Sequence, residues 1–178
     1  MVLDASTKRN LEITSSMTGQ SDGTLFSVID RTQTPMGGRL LKTWVNRPLK
    51  KLAPILERLA AVRELFGHDG LRGTLREELG RIGDLERLVA KIATGRANPR
   101  ELKQLEGYLS LLPAITSHLA GVASPTLKEL RGRLNPLDQT VQLIRNAIED
   151  EPPLALAEGG VIRKGHNAEL DELRVVAF

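Results

Sequence analysis

The sequence predicts an all-α protein, and two observations carry that reading. After residue 20, apolar residues recur at steps of three and four, the spacing that lines them along one face of a helix. Between those runs stand start and stop signals: Ser, Thr or Asn followed by proline where a helix should begin, glycine or proline where it should end.

Thr34-Pro35 supplies an N-cap and a first-turn proline, followed by Leu40, Leu41, Trp44 and Val45 on one face. Pro48 ends that helix, because the residue before a proline is pushed out of the helical region. Pro54 opens the next, where Ile55, Leu59, Val62 and Phe66 form a stripe and Gly67 closes the run. On this reading Trp44 and Phe66 belong to the core. Leu71, Leu75, Leu79 and Ile82 extend a helix from Asp69, and Asp84 caps another that carries Leu85, Leu88, Val89 and Ile92 to Gly95.

Asn98-Pro99-Arg100-Glu101 is the clearest start signal, since Asn98 can take the amide of Glu101 while the Glu101 carboxylate takes the amide of Asn98. Leu102, Leu105, Leu109 and Leu112 follow, up to a kink or stop at Pro113. Ser124-Pro125 caps a segment through Leu127, Leu130 and Leu134. Asn135-Pro136 separates it from Leu137, Val141, Ile144 and Ile148, and Asn167 caps a last helix bearing Leu170, Leu173 and Val176. Two stretches break the pattern: Met1 to Ile13 is compatible with a short strand, and Gly159-Gly160-Val161-Ile162 with a turn into a brief extended piece near 160–163.

Composition narrows the function. The 178 residues include 25 Lys and Arg against 22 Asp and Glu, a net charge of +3, and no Cys. Without cysteine there is no disulfide framework, Cys-ligated zinc, iron–sulfur cluster or thiol nucleophile. A chain 40% hydrophobic and 26% charged is globular in composition. No apolar run reaches the ~18 residues of a membrane span, and the N-terminus lacks a signal-peptide pattern, so the expected location is cytoplasmic.

Candidate chemistry is sparse. His68, His118 and His166 have no second His or carboxylate at helical ligand spacing. Gly37-Gly38-Arg39-Leu40-Leu41-Lys42-Thr43 approximates a phosphate loop, but Leu41 stands where the second glycine is required. Glu77-Glu78 and Glu149-Asp150-Glu151 read as solvated charge runs. The expectation is a chain with no catalytic residue, metal or cofactor of its own. One stretch stands out: Arg31, Arg39, Lys42, Arg47, Lys50 and Lys51 follow one another without an acidic residue. Such a patch can face DNA phosphates or an acidic partner, or be spent on solvent and acids elsewhere in the fold.

Local word patterns go further. Leu3 to Glu12 (LDASTKRNLE), Thr24 to Thr32 (TLFSVIDRT) and Thr34 to Leu41 (TPMGGRLL) resemble the opening of the core domain of MutS, the bacterial DNA mismatch-repair family. Trp44 and Pro48-Leu49 fall in register behind them. Asp84 to Leu88, Gly95 to Leu102, Leu111 to Pro113, Asp150 to Pro153, Glu158 to Arg163 and Glu169 to Arg174 continue the likeness in order. The resemblance implies an irregular multi-helical core over 1–120 and the start of a lever arm over 121–178. In that family a dimer encircles duplex DNA, works with other mismatch-repair proteins and couples mismatch recognition to an ATPase that uses ATP and Mg. The expected role of this segment is therefore a non-catalytic scaffold between clamp and ATPase, with the clamp and the phosphate loop lying elsewhere. The alternative is a stand-alone helical module that binds DNA backbone or a protein partner. Missing its returning lever partner, the stripe of Leu170, Leu173 and Val176 is expected to be short of contacts and prone to self-association.

Overall fold

Helix follows helix through the computed structural model, which describes residues 4–19 and 21–176. The chain forms two compact units that alternate along the sequence: Met1–Asp84 with Ile115–Leu134, and Leu85–Ala114 with Asn135–Phe178. This is a division by packing, distinct from one into core and lever. Two of the crossings, at Ala114–Ile115 and Leu134–Asn135, fall within two residues of Pro113 and Pro136.

The first unit begins with α1 (Ala5–Asn10), where a strand was expected. Asp4 decides the matter locally: its carboxylate accepts the amide of Thr7 at 2.7 Å and the Thr7 hydroxyl at 3.0 Å, capping a turn too short to announce itself by periodicity. Val2 and Leu3 lie outside the described residues. The chain then returns so that the amides of Leu25 and Phe26 donate to the carbonyls of Glu12 and Ile13, leading into α2 (Leu25–Ile29). Thr24, fully buried, caps α2 by accepting the Ser27 amide and donates its own proton to the Ser21 carbonyl.

Helix α3 (Pro35–Asn46) starts as the sequence predicts, with the Thr34 hydroxyl accepting the Gly37 amide at 3.0 Å. Helices α4 (Leu52–Gly67) and α5 (Asp69–Gly80) pack against each other. α4 corrects the expected stripe. Ala61 is buried and Ile55 and Leu65 are half-buried, whereas Leu59 is 54% exposed and Phe66 77%. The helix is apolar on nearly every side (Leu52, Leu56, Leu59 and Val62 besides the inward set), so spacing alone cannot say which face turns in. Trp44 is likewise 41% exposed rather than core. The unit closes with the end of α8 (Leu112–His118), a 3-10 turn at Leu119–Gly121 and α9 (Pro125–Arg133), burying Ile115, Leu119, Val122 and Leu127.

The second unit has the continuous core. α6 (Leu85–Ala93), α7 (Pro99–Leu109) and α10 (Asp138–Ala147) bring Leu88, Leu105, Leu109, Val141 and Ile144 together with Ile148 and Val161. Each such side chain removed from water contributes about 1.5–3 kcal/mol. The predicted capping box on α7 is present, with Asn98 Oδ1 accepting from Glu101 N at 2.9 Å and Glu101 Oε2 from Asn98 N at 3.0 Å. The extended piece near 160–163 is a single antiparallel bridge between Ile148 and Ile162 rather than a strand. Helix α11 (Ala168–Val176) follows, its Leu170 amide capped by Asn167.

Candidate functional site

Positive charge without a carboxylate partner gathers in the first unit, on the polar face of α3. Arg39, Lys42, Thr43 and Asn46 recur at helical spacing opposite the apolar residues of that helix. With Arg47 and with Lys8 from α1 they line an open depression of about 570 Å³ that no acidic residue lines. Arg39 is already partnered: its guanidinium makes a two-pronged pair with Asp84 at 2.7 and 2.8 Å, the geometry that suits a planar fork to a carboxylate. Lys8, Lys42 and Arg47 make no ion pair with any described residue.

Of the six cations singled out in the sequence, then, three line this depression. Arg31, Lys50 and Lys51 are exposed outside it; Arg31 donates to its neighbour's carbonyl at Asp30, and its own carbonyl accepts from Arg76 at 2.9 Å. Lys8 was missed because it lies far from the acid-free window in sequence, and only the return of the chain past Thr24 brings α1 beside α3.

The nearest approach to a nucleotide loop does not fit one. Gly37 to Thr43 lie inside α3, and the amides of Gly37 and Gly38 are spent on the Thr34 hydroxyl and carbonyl. A phosphate cradle needs those amides free. His68 turns its Nδ1 to the Glu64 carbonyl at 2.8 Å, and among the described residues no three His, Asp or Glu side chains gather as metal ligands.

In the second unit several charged groups are joined to one another. Glu106, buried on α7, accepts from Arg145 of α10 at 2.5 Å and from Lys103 at 3.1 Å. Burial pushes its carboxyl up, but the bonds from Arg145 and Lys103 outweigh that and hold it below the ordinary glutamate value. Lys103 also reaches Asp150, which pairs with Arg163 at 2.6 Å; the Arg163 bond is the main cause holding Asp150 below its ordinary value. Within the Glu149–Glu151 run Asp150 makes these pairs while its side chain stays 75% exposed, so the run remains at the solvated surface. On α11, Leu170 is half-buried, Leu173 is 60% exposed and Val176 84%.

Residues 6–176 match the family model of MutS domain III. The chain belongs to that family. The DNA mismatch repair protein MutS of Symbiobacterium thermophilum is 49% identical over 178 residues, and that of Chlorobaculum tepidum 48%; each match covers 99% of this chain and 20% of the relative. MutS of Pelotomaculum thermopropionicum is 46% identical over 176 residues. The chain thus spans 20% of the length of the curated MutS relatives it matches, in the helical domain III rather than the ATPase domain. No described helix of this MutS domain III is long and apolar enough to cross a membrane.

Proposed function

We propose that this MutS domain III is a non-catalytic scaffold within a DNA mismatch-repair protein, with residues 1–120 as helical core and 121–178 as the opening of the lever arm. Its role is to couple a DNA clamp to an ATPase, both carried by other parts of the parent, in a dimer that encloses duplex DNA in the cytoplasm. A relay between distant sites calls for stiff elements that move as bodies, not for reactive side chains. The observation that carries this reading is the Glu106–Arg145 pair with its extension through Lys103, Asp150 and Arg163, which binds α7, α10 and the 148–162 bridge into one cross-braced piece. Those carboxylates are held ionised by their partners, unlike a general acid or base poised near neutral pH.

The test uses a full-length MutS bearing this domain. Glu106→Gln is expected to leave basal ATP turnover in place while reducing its stimulation by mismatched duplex. Full stimulation in both Glu106→Gln and Arg145→Gln would overturn the relay. ATP hydrolysis by the purified 178-residue chain, proportional to its concentration, would overturn the non-catalytic half.

A further inference from the structure

We propose that Asp22-Gly23 is a modification site, at which the chain rearranges without an enzyme to an isoaspartyl linkage. The inference goes beyond the scaffold reading and does not depend on it. Asp22 and Asp69 are the two Asp residues followed by glycine, and no Asn is. Glycine matters because it places no Cβ beside the nitrogen that must attack. The fold treats the two steps oppositely. Asp22 and Gly23 lie exposed in the turn before α2, where Gly23 has a φ of 78° and a Cβ built on it would meet nothing within 4 Å. The Asp22 carboxylate accepts no hydrogen bond from another described residue, and the Gly23 amide donates none. Asp69 instead begins α5, and its carboxylate holds Arg72 at 2.5 Å.

The Gly23 nitrogen attacks the carboxyl carbon of the Asp22 side chain, forming a C–N bond and closing a cyclic imide. The carboxyl hydroxyl leaves with the amide hydrogen as water. A second water then opens the ring. Attack at the side-chain carbonyl restores Asp22, whereas attack at the main-chain carbonyl routes the backbone through Cβ and Cγ and frees the α-carboxyl. One water is released and one consumed, so no oxidant, reductant or other co-reactant is needed. Ring closure requires the Asp ψ to leave the helical range, which the regular backbone of α5 opposes and no hydrogen bond of Asp22 or Gly23 opposes. The product reaches the fold through Thr24. Its fully buried hydroxyl accepts from Ser27 N at 3.2 Å and donates to the Ser21 carbonyl at 2.8 Å, across the span that contains Asp22 and Gly23. An added backbone carbon in that span breaks the fit, strands the buried hydroxyl proton and loosens the start of α2.

The experiment ages the 178-residue chain in warm neutral buffer, folded and in urea. Isoaspartate is read by methyl transfer from S-adenosylmethionine, with an isoaspartyl methyltransferase as reagent, and placed by peptide mass spectrometry. In the folded chain it is expected to form at position 22 about tenfold or more faster than at 69, because a helical step reacts only in the small fraction of molecules open there. In urea the two positions should react alike. Asp22→Glu keeps the charge but needs a larger, slower ring, so it is expected to abolish the signal at 22, while Asp69→Glu leaves that signal unchanged. The separated isoaspartyl form is expected to unfold at a lower urea concentration than the unaged chain. No excess at 22 over 69 in the folded chain, or a rate at 22 that rises on unfolding as steeply as the rate at 69, would overturn the site. An isoaspartyl form with the urea midpoint of the unaged chain would overturn its link to the Thr24 cap.

Discussion

The carboxylate of Glu64, near the end of α4, accepts the backbone amides of Ala123 and Ser124 at 2.5 and 2.7 Å, and so caps the approach to α9 from another helix. Ser124, the residue that sequence offers as the cap, makes no capping bond, and its buried hydroxyl has no partner among the described residues. A working serine cap costs about 1 kcal/mol when removed. Ser124→Ala is instead expected to lie within about 0.5 kcal/mol of the parent, or above it, because it deletes an unsatisfied buried hydroxyl. Glu64→Ala is expected to lower the urea midpoint clearly more than Ser124→Ala does. The reverse order would return the cap to Ser124.

The same contact sets a pH dependence. The amides of Ala123 and then Ser124 hold the Glu64 carboxyl below its ordinary value. A depressed carboxyl contributes stability above the pH at which the unfolded chain's Glu titrates, and that contribution is lost as pH falls through the folded value. Between neutral pH and the acid side of the ordinary glutamate range, stability of the parent should therefore fall more steeply than that of Glu64→Gln. The two curves should converge once Glu64 is protonated. Parallel curves from thermal unfolding at a series of pH values would show that the carboxylate charge adds nothing.

Glu106 and Arg145 differ in exposure: the Glu106 side chain retains 11% of its surface and that of Arg145 47%. Removing the buried member takes a carboxylate from Arg145 and from Lys103, whose side chain keeps 15% and is left with Asp150 alone. Glu106→Ala is expected to cost about 2 kcal/mol, and Arg145→Ala less, because water reaches its guanidinium. A double-mutant cycle should return a coupling of about 1 kcal/mol, and a value near zero would mean that the pair is ornamental to stability.

Leu137 opens α10 in the left-handed region, at φ 53° and ψ 40°, where an ordinary L side chain crowds its own backbone. It is 43% exposed, so burial does not demand leucine there. Leu137→Val, conservative by hydrophobicity, is expected to destabilise by about 1–2 kcal/mol, since branching at Cβ is the feature this conformation tolerates least. Leu137→Asn should be near neutral, because Asn accepts the region readily. Val outperforming Asn in chemical unfolding would contradict the backbone assignment.

What could be read in the sequence was local chemistry. The starts of α3, α7 and α11 rest on Thr34, Asn98 and Asn167, each bonding an amide three residues on, and such spacings are visible in one dimension. α1 is not legible in the same way, because a six-residue helix capped by Asp4 has no room for a repeat. The caps and braces that depend on folding were invisible: Glu64 is 59 residues from Ala123, and Glu106 is 39 from Arg145. In the candidate site, the acid-free window contained Arg39, Lys42 and Arg47 but gave no sign that Asp84 spends Arg39 or that Lys8 completes the hollow. The inward face of α4 was undetermined for a different reason, because apolar residues on opposing sides satisfy the same period equally well.

The orientation of α3 has a direct optical test in Trp44, the one tryptophan of the chain. Its ring is 41% exposed and carries the Arg58 guanidinium at 3.7 Å from the centroid, a stack worth about 0.5–1 kcal/mol at a partly exposed site. Emission from the folded chain is therefore expected at the long wavelengths of a hydrated indole, with ready quenching by acrylamide. Arg58→Ala uncovers one face of the ring, so it should increase quenching further while lowering stability by no more than about 1 kcal/mol. Short-wavelength emission that acrylamide leaves untouched would put Trp44 in the core, where its helical spacing first suggested it belonged, and would require α3 to be turned about its axis.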